Sequence, residues 1–123
     1  MRWIAIGVGG ALGSMARHMV NEAVVVMGLR ATPWSTAIVN LAGCFVIGML
    51  AGLVAHERLT LSATSRAFLF VGVLGGFTTF SSFGLDTLTL VSNGERGLAI
   101  ANVLAQVGLG LVGVFAGFAV SRL

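Results

Sequence analysis

Phe80 and Phe83 stand three residues apart in a stretch that also holds Thr78, Thr79, Ser81 and Ser82, just after the glycine pair Gly75-Gly76. On a helix this spacing stacks the two rings along one face, and Thr79, four before Phe83, joins them. Aromatic rings have electropositive edges, so two rings turned edge-on to a narrow passage can meet a small anion without a full positive charge. A phenylalanine pair in an apolar helix is most often core packing; the neighbouring glycines and the hydroxyls of Thr78 and Thr79 set this one apart. Glycines at Gly75-Gly76 are expected to break the helix there, and the carbonyls so freed must find partners. Unwound carbonyls form a hard oxygen site, suited to alkali or alkaline-earth cations rather than softer metals. If two copies cross here antiparallel, carbonyls from both can converge on one structural ion.

Other polar residues also lie within apolar runs, where they are costly and tend to mark pathways. Thr36, Asn40 and Cys44 are four apart and share a helix face. The Asn40 amide can donate to an anion or cap a neighbouring helix, and both readings stay open. Asn102 and Gln106 are also four apart and face one groove, where they can line a passage or hydrogen-bond between helices. Cys44 is the sole cysteine, which excludes an intramolecular disulfide and leaves it a small packing residue.

The elements that must carry these residues are membrane helices. Of 123 residues 57% are hydrophobic and 9% charged, far below the roughly 25% charged of a soluble domain. Spans of ~20 apolar residues are expected at about 3–27, 35–55, 66–91 and 97–121, making one channel-sized domain over 1–123. The first run lacks a cleavage pattern and is expected to be retained. Trp3 and Trp34 suit interfacial anchors, and Pro33 suits a helix start. The seven basic residues are all arginines, spread singly between apolar runs, which speaks against a nucleic-acid partner. With four spans, Arg2, Arg58, Arg66 and Arg122 lie on one side and Arg30 and Arg96 on the other, with Arg17 able to snorkel either way. So weak a bias under the positive-inside rule permits insertion in both orientations, hence an antiparallel homodimer. The pairs Gly9/Gly13, Gly48/Gly52, Gly72/Gly76 and Gly113/Gly117 have the spacing that lets membrane helices approach closely.

Together these residues resemble the small fluoride channel family, the Fluc or CrcB proteins. Gly9-Gly10-Ala11-Leu12-Gly13 with Arg17 resembles the family's first-helix motif, Thr36-Ala37-Ile38-Val39-Asn40 its second-helix segment, and Gly72 through Phe83 its third-helix signature. The resemblance implies an all-α membrane protein of four transmembrane helices with a break in the third, assembled as an antiparallel dual-topology homodimer with two pores. It implies that Phe80 and Phe83 present ring edges to fluoride and that Asn40 is the pore amide. Thr79 and Ser82 then supply hydroxyls, Ser82 standing for a common threonine. It implies a structural sodium ion held by the backbone carbonyls of Gly75 and Thr78 of each subunit, and a vestibule at Arg17. Asp86 matches an acidic position after the signature. The chain departs from the pattern at His18, where an aromatic residue often follows the arginine, and at Gly110, where a hydroxyl is often found. Its fourth-helix polar track therefore rests on Asn102 and Gln106.

The function so implied is passive export of cytoplasmic fluoride across the cell membrane, with no enzyme activity. A proton-coupled exporter needs a carboxylate at a span centre, and Glu22 and Asp86 both fall toward span ends. An accessory subunit would explain the packing glycines but leave the Gly75–Phe83 constellation without a purpose.

Overall fold

Long apolar runs punctuated by short polar turns leave the backbone one economical way to satisfy its hydrogen bonds, the helix. The computed structural model describes all 123 residues and contains helices and no strand. α1 is Arg2–Val26 and α2 is Ala31–Ala55. α3, residues 63–77, joins Ala63–Arg66, a wide π-type stretch Ala67–Leu74 and a last turn Gly75–Phe77. α4 is Phe80–Ser92, and α5 is Arg96–Val120 with a second π-type stretch at Ala105–Leu109. Three units are long and apolar enough to cross a membrane: α2, the broken pair spanning Ala63–Ser92, and α5. α1 has equal length to α2 but carries Arg17, His18 and Glu22 and is not among them.

Two polar clamps tie the connections together at opposite ends. At one end Arg30, just before α2, donates twice to Glu95, just before α5, both bonds at 2.8 Å. At the other, Arg58 donates to the carbonyls of Ser121 (3.1 Å) and Arg122 (3.0 Å) at the end of α5. The last carbonyls of a helix lack intrahelical donors and carry partial negative charge, so a guanidinium is a fitting cap.

Packing follows the glycines. A Cβ on Gly9 would lie 2.6 Å from the Phe68 carbonyl oxygen, and one on Gly76 would lie 2.5 Å from that of Gly10. α1 and α3 therefore touch backbone to backbone along Gly9/Gly13 and Gly72/Gly76. α2 and α5 meet in the same way at Gly48 against Val114 and Gly117 against Phe45, while Gly52 makes room for the Ser121 side chain. Large side chains mostly face outward: Leu12, Leu111 and Phe115 are exposed, and only Leu90 and Val39 among large residues are fully enclosed. This inversion suits lipid, where close dispersion contact rather than water exclusion holds helices together.

The break in the third apolar unit lies later than expected. Gly75 is helical (φ −63°, ψ −36°), and Gly76 lies within the same last turn of α3. Thr78 (φ −85°, ψ 159°) and Thr79 (φ −154°, ψ 115°) are extended instead. The glycines serve close approach to α1. The helix opens where threonine hydroxyls and a facing amide can replace the lost backbone bonds.

Candidate functional site

The break is built from hydrogen bonds between α2, α4 and α5. Thr79 is the N-cap of α4: its Oγ1 accepts from the Ser82 N–H at 3.2 Å and lies 3.1 Å from the Ser82 hydroxyl. Its backbone pairs with the Asn40 side chain as a strand would. The Thr79 N–H donates to Asn40 Oδ1 at 2.8 Å, and Asn40 Nδ2 donates to the Thr79 carbonyl at 3.0 Å. Asn40 thus holds the two orphaned backbone groups of an extended residue, which unpaired would cost about 1–3 kcal/mol each when buried. The remaining Asn40 N–H donates to Gln106 Oε1 at 2.7 Å, so both its N–H groups are engaged in this conformation.

The same break frees the Gly75 carbonyl in α3 and, because the Ser82 N–H goes to Thr79 Oγ1, the Thr78 carbonyl just after it. The Thr79 N–H, which would return to Gly75 in a continuous helix, goes to Asn40 instead. The Thr78 hydroxyl turns back to the Leu74 carbonyl at 2.9 Å. The carbonyls of Gly75 and Thr78 therefore sit at a helix end with a hard-oxygen donor set, which fits an alkali cation by chemistry.

Beyond Asn40 the amides continue in a ladder. Gln106 Nε2 donates to Asn102 Oδ1 at 2.9 Å, and Asn102 Nδ2 donates to the Thr87 hydroxyl at 3.1 Å. The Thr87 hydroxyl donates in turn to the Phe83 carbonyl at 2.8 Å. Asn102 and Gln106 are both buried. Their four-residue spacing does bring them to one groove, where they bond each other.

Two cavities meet at Thr79. One, of about 440 Å³ and mostly apolar, is walled by α2, α3, α4 and α5 and bounded by Asn40, Thr79, Phe80, Phe83 and Gln106. Thr78 and Gly75 also border it. The other, of about 270 Å³, is polar and lies between α1, α2 and the start of α4; Ser14, Arg17, His18, Asn21, Thr36 and Ser82 line it. Thr79 borders both. The rings of Phe80 and Phe83 are 5.3 Å apart at 51°, Phe83 buried and Phe80 82% exposed in the single chain. Neither Glu22 nor Asp86 lines either cavity.

The structure thus gathers Asn40, Thr79, Phe80, Phe83 and Gln106 at one cavity and Arg17, Thr79 and Ser82 at the other, with Asn102 behind Gln106. Thr36 faces the polar cavity, whereas Asn40 and Cys44 face the apolar one. Arg17 forms no ion pair; His18, beside it, lies 3.4 Å from Glu22. Sequence reasoning missed Ser14, Asn21 and Thr87. Ser14, Arg17 and Asn21 do form an i, i+3, i+7 stripe on α1, a readable signal. Thr87 carries none, because a threonine bonding back to the carbonyl four residues earlier looks like any other. Asp86 is buried, accepting from the Thr32 hydroxyl at 3.0 Å, with its second oxygen unpartnered.

Residues 4–118 match the family described as CrcB-like protein, Camphor Resistance (CrcB). The chain is 43% identical over 119 residues to the fluoride-specific ion channel FluC of Rhizobium meliloti (strain 1021), covering 97% of this chain and 94% of that one. It is 47% identical over 119 residues to the FluC of Rhodospirillum centenum (strain ATCC 51521 / SW), with the same coverage. With the FluC of Opitutus terrae (strain DSM 11246 / JCM 15787 / PB90-1) it shares 46% over 116 residues, 94% of this chain and 88% of the relative. On a match spanning nearly its whole length, the chain belongs to the CrcB-like family of multi-pass membrane proteins.

Proposed function

We propose that this protein is a fluoride-selective passive channel, built as an antiparallel dual-topology homodimer in which α1 serves as a fourth span. The relatives named fluoride-specific ion channels support the ion, at 43% and more identity over nearly the whole chain. The observation that carries the mechanism is Thr79, whose residue borders a polar vestibule on one side and a ring-lined cavity on the other.

Fluoride is small and strongly hydrated, so a pore must replace its water with donors while remaining too narrow for chloride. Arg17 draws the anion into the polar vestibule. The hydroxyls of Thr79 and Ser82 take over from water at the break. The edges of Phe80 and Phe83 and the amide of Gln106, held from behind by Asn102, then carry it along the second cavity. Asn40 belongs to the same wall and keeps Thr79 extended; it meets the ion directly when one of its N–H groups is released. No carboxylate faces either cavity, so nothing there repels the ion, and no fixed cation beyond the vestibule traps it. Hydrogen fluoride enters cells uncharged and dissociates at the higher internal pH; the trapped anion then leaves through the pore down its gradient, and no bond is made or broken by the protein. A sodium ion held by the Gly75 and Thr78 carbonyls of both subunits would neutralise converging carbonyl dipoles and fix the two chains at their crossing.

Purified protein in liposomes loaded with fluoride or chloride, under a potassium–valinomycin shunt and without a proton gradient, tests this reading. Rapid fluoride loss with chloride retained is the expected outcome. Retention of fluoride by a verified, folded dimer would overturn it.

A further inference from the structure

We propose that Thr87 is a positioning residue for anion passage: it terminates the amide ladder that presents one N–H of Gln106 to the ring-lined cavity. This rests on the fluoride-channel reading above.

The direction of the ladder is dictated by backbone chemistry at its start. A backbone N–H can only donate and a carbonyl only accept, so Asn40, paired with both groups of Thr79, has no freedom to flip. Its second N–H must then point at an acceptor, which obliges Gln106 to present oxygen to it and nitrogen to Asn102. Asn102 in turn must present oxygen to Gln106 and nitrogen to Thr87. The Thr87 hydroxyl is the only member that can accept at this point and pass the last proton on, to the Phe83 carbonyl. Every link runs one way, from α2 through α5 to α4.

Counting donors shows what the ladder leaves over. Asn40 uses both N–H groups, whereas Gln106 and Asn102 each use one and keep one, and of these two only Gln106 reaches the ring-lined cavity. Gln106 borders the cavity that Phe80 and Phe83 also line. An uncharged N–H beside two ring edges is a fitting donor for a small anion, strong enough to replace a water and weak enough to release the ion. Without Thr87, Asn102 loses the acceptor for its nitrogen and can rotate. Gln106 is then anchored at one side only, and its free N–H is no longer held toward the cavity.

The chain has a single glutamine, which makes the ladder directly observable. Protein grown with side-chain isotope-labelled glutamine gives one amide group in nuclear magnetic resonance; hindered rotation about its C–N bond keeps the two N–H protons distinct, and the bond to Asn102 shifts the bonded one and widens their separation. Fluoride should move the free proton and leave the bonded one. Thr87→Val should draw the two resonances together and slow fluoride efflux from liposomes about five-fold, the loss expected for one neutral hydrogen bond; Thr87→Ser should restore both. Asn102→Leu removes both the link to Thr87 and the acceptor of the bonded Gln106 N–H, and should narrow the separation and slow efflux at least as much. Wild-type resonances and wild-type flux in folded Thr87→Val would overturn the proposal. So would slowed flux with unmoved resonances, which marks a packing effect only. If the wild type passes no fluoride while Thr87→Val still moves the Gln106 resonances, the ladder stands but the channel reading, and with it the permeation role, falls.

Discussion

Phe80 and Phe83 are a pair in sequence but unequal as probes. Phe83 is buried, so truncating it disturbs packing as well as any ion contact; Phe80 is 82% exposed in the single chain, so its ring can be exchanged with little cost to the subunit. Edge-on contacts between aromatic rings are worth about 1 kcal/mol; on that scale an anion's contact with a ring edge makes Phe80→Ile slow fluoride efflux roughly five-fold, with Phe83→Ile at least as damaging. Efflux from liposomes checks both, and unchanged flux in Phe80→Ile would remove ring edges from the mechanism. The rings were visible in the sequence because aromatic residues three apart beside glycines and threonines are an unusual combination in an apolar run. The cap role of Asn40 was visible only as one of two alternatives: an amide within a span declares that it needs partners, but not which ones. The residue it caps, Thr79, is 39 positions away.

At the level of elements, the glycine spacings foretold close crossings but not which helices would be partners. α1 takes α3 and α2 takes α5 because each glycine pair meets carbonyls on the other helix. The adjacent glycines Gly75-Gly76 misplaced the break, since paired glycines suit tight packing as well as unwinding, and here the packing won at Gly76. The Arg30–Glu95 clamp was not foreseen, because the two residues lie in different connections. It has a pH signature. The hydrogen bonds and charge of Arg30 hold the Glu95 carboxyl below the usual carboxylate range, while Glu95 raises the Arg30 guanidinium further. A carboxyl whose folded pKa is depressed adds stability above its unfolded value, about 4.3, and loses it as pH falls through the folded value. Glu95→Gln should therefore melt below wild type at neutral pH, with the gap closing on acidification below that range. A gap unchanged by acid, in thermal unfolding of the detergent-solubilised protein, would show that the pair acts by shape alone. Both groups are solvent-exposed, so the effect at neutral pH is expected to be small.

For the whole molecule the arginines matter by number and place. The Arg58 clamp puts the α2–α3 connection and the chain end on one side with Arg2 and Arg66, and the Arg30 clamp puts the other two connections opposite. Four arginines against two is a weak orienting bias. Reporters fused after Leu123 should reveal both orientations in the membrane, and a single orientation would exclude the antiparallel homodimer for this chain. The glycine crossings have one more consequence, a mechanical one. A contact between backbone atoms contains no side chain that can change rotamer, so the pairs α1/α3, joined at Gly9, Gly13, Gly72 and Gly76, and α2/α5, joined at Gly48 and Gly117, are expected to move as stiff planks. Whatever breathing the subunit has must be taken up along the seam between planks. The Asn40–Thr79 pairing is stitched across that seam, with Gln106 bracing Asn40 from within its own plank, so the wall an ion would touch stands at the joint between the two.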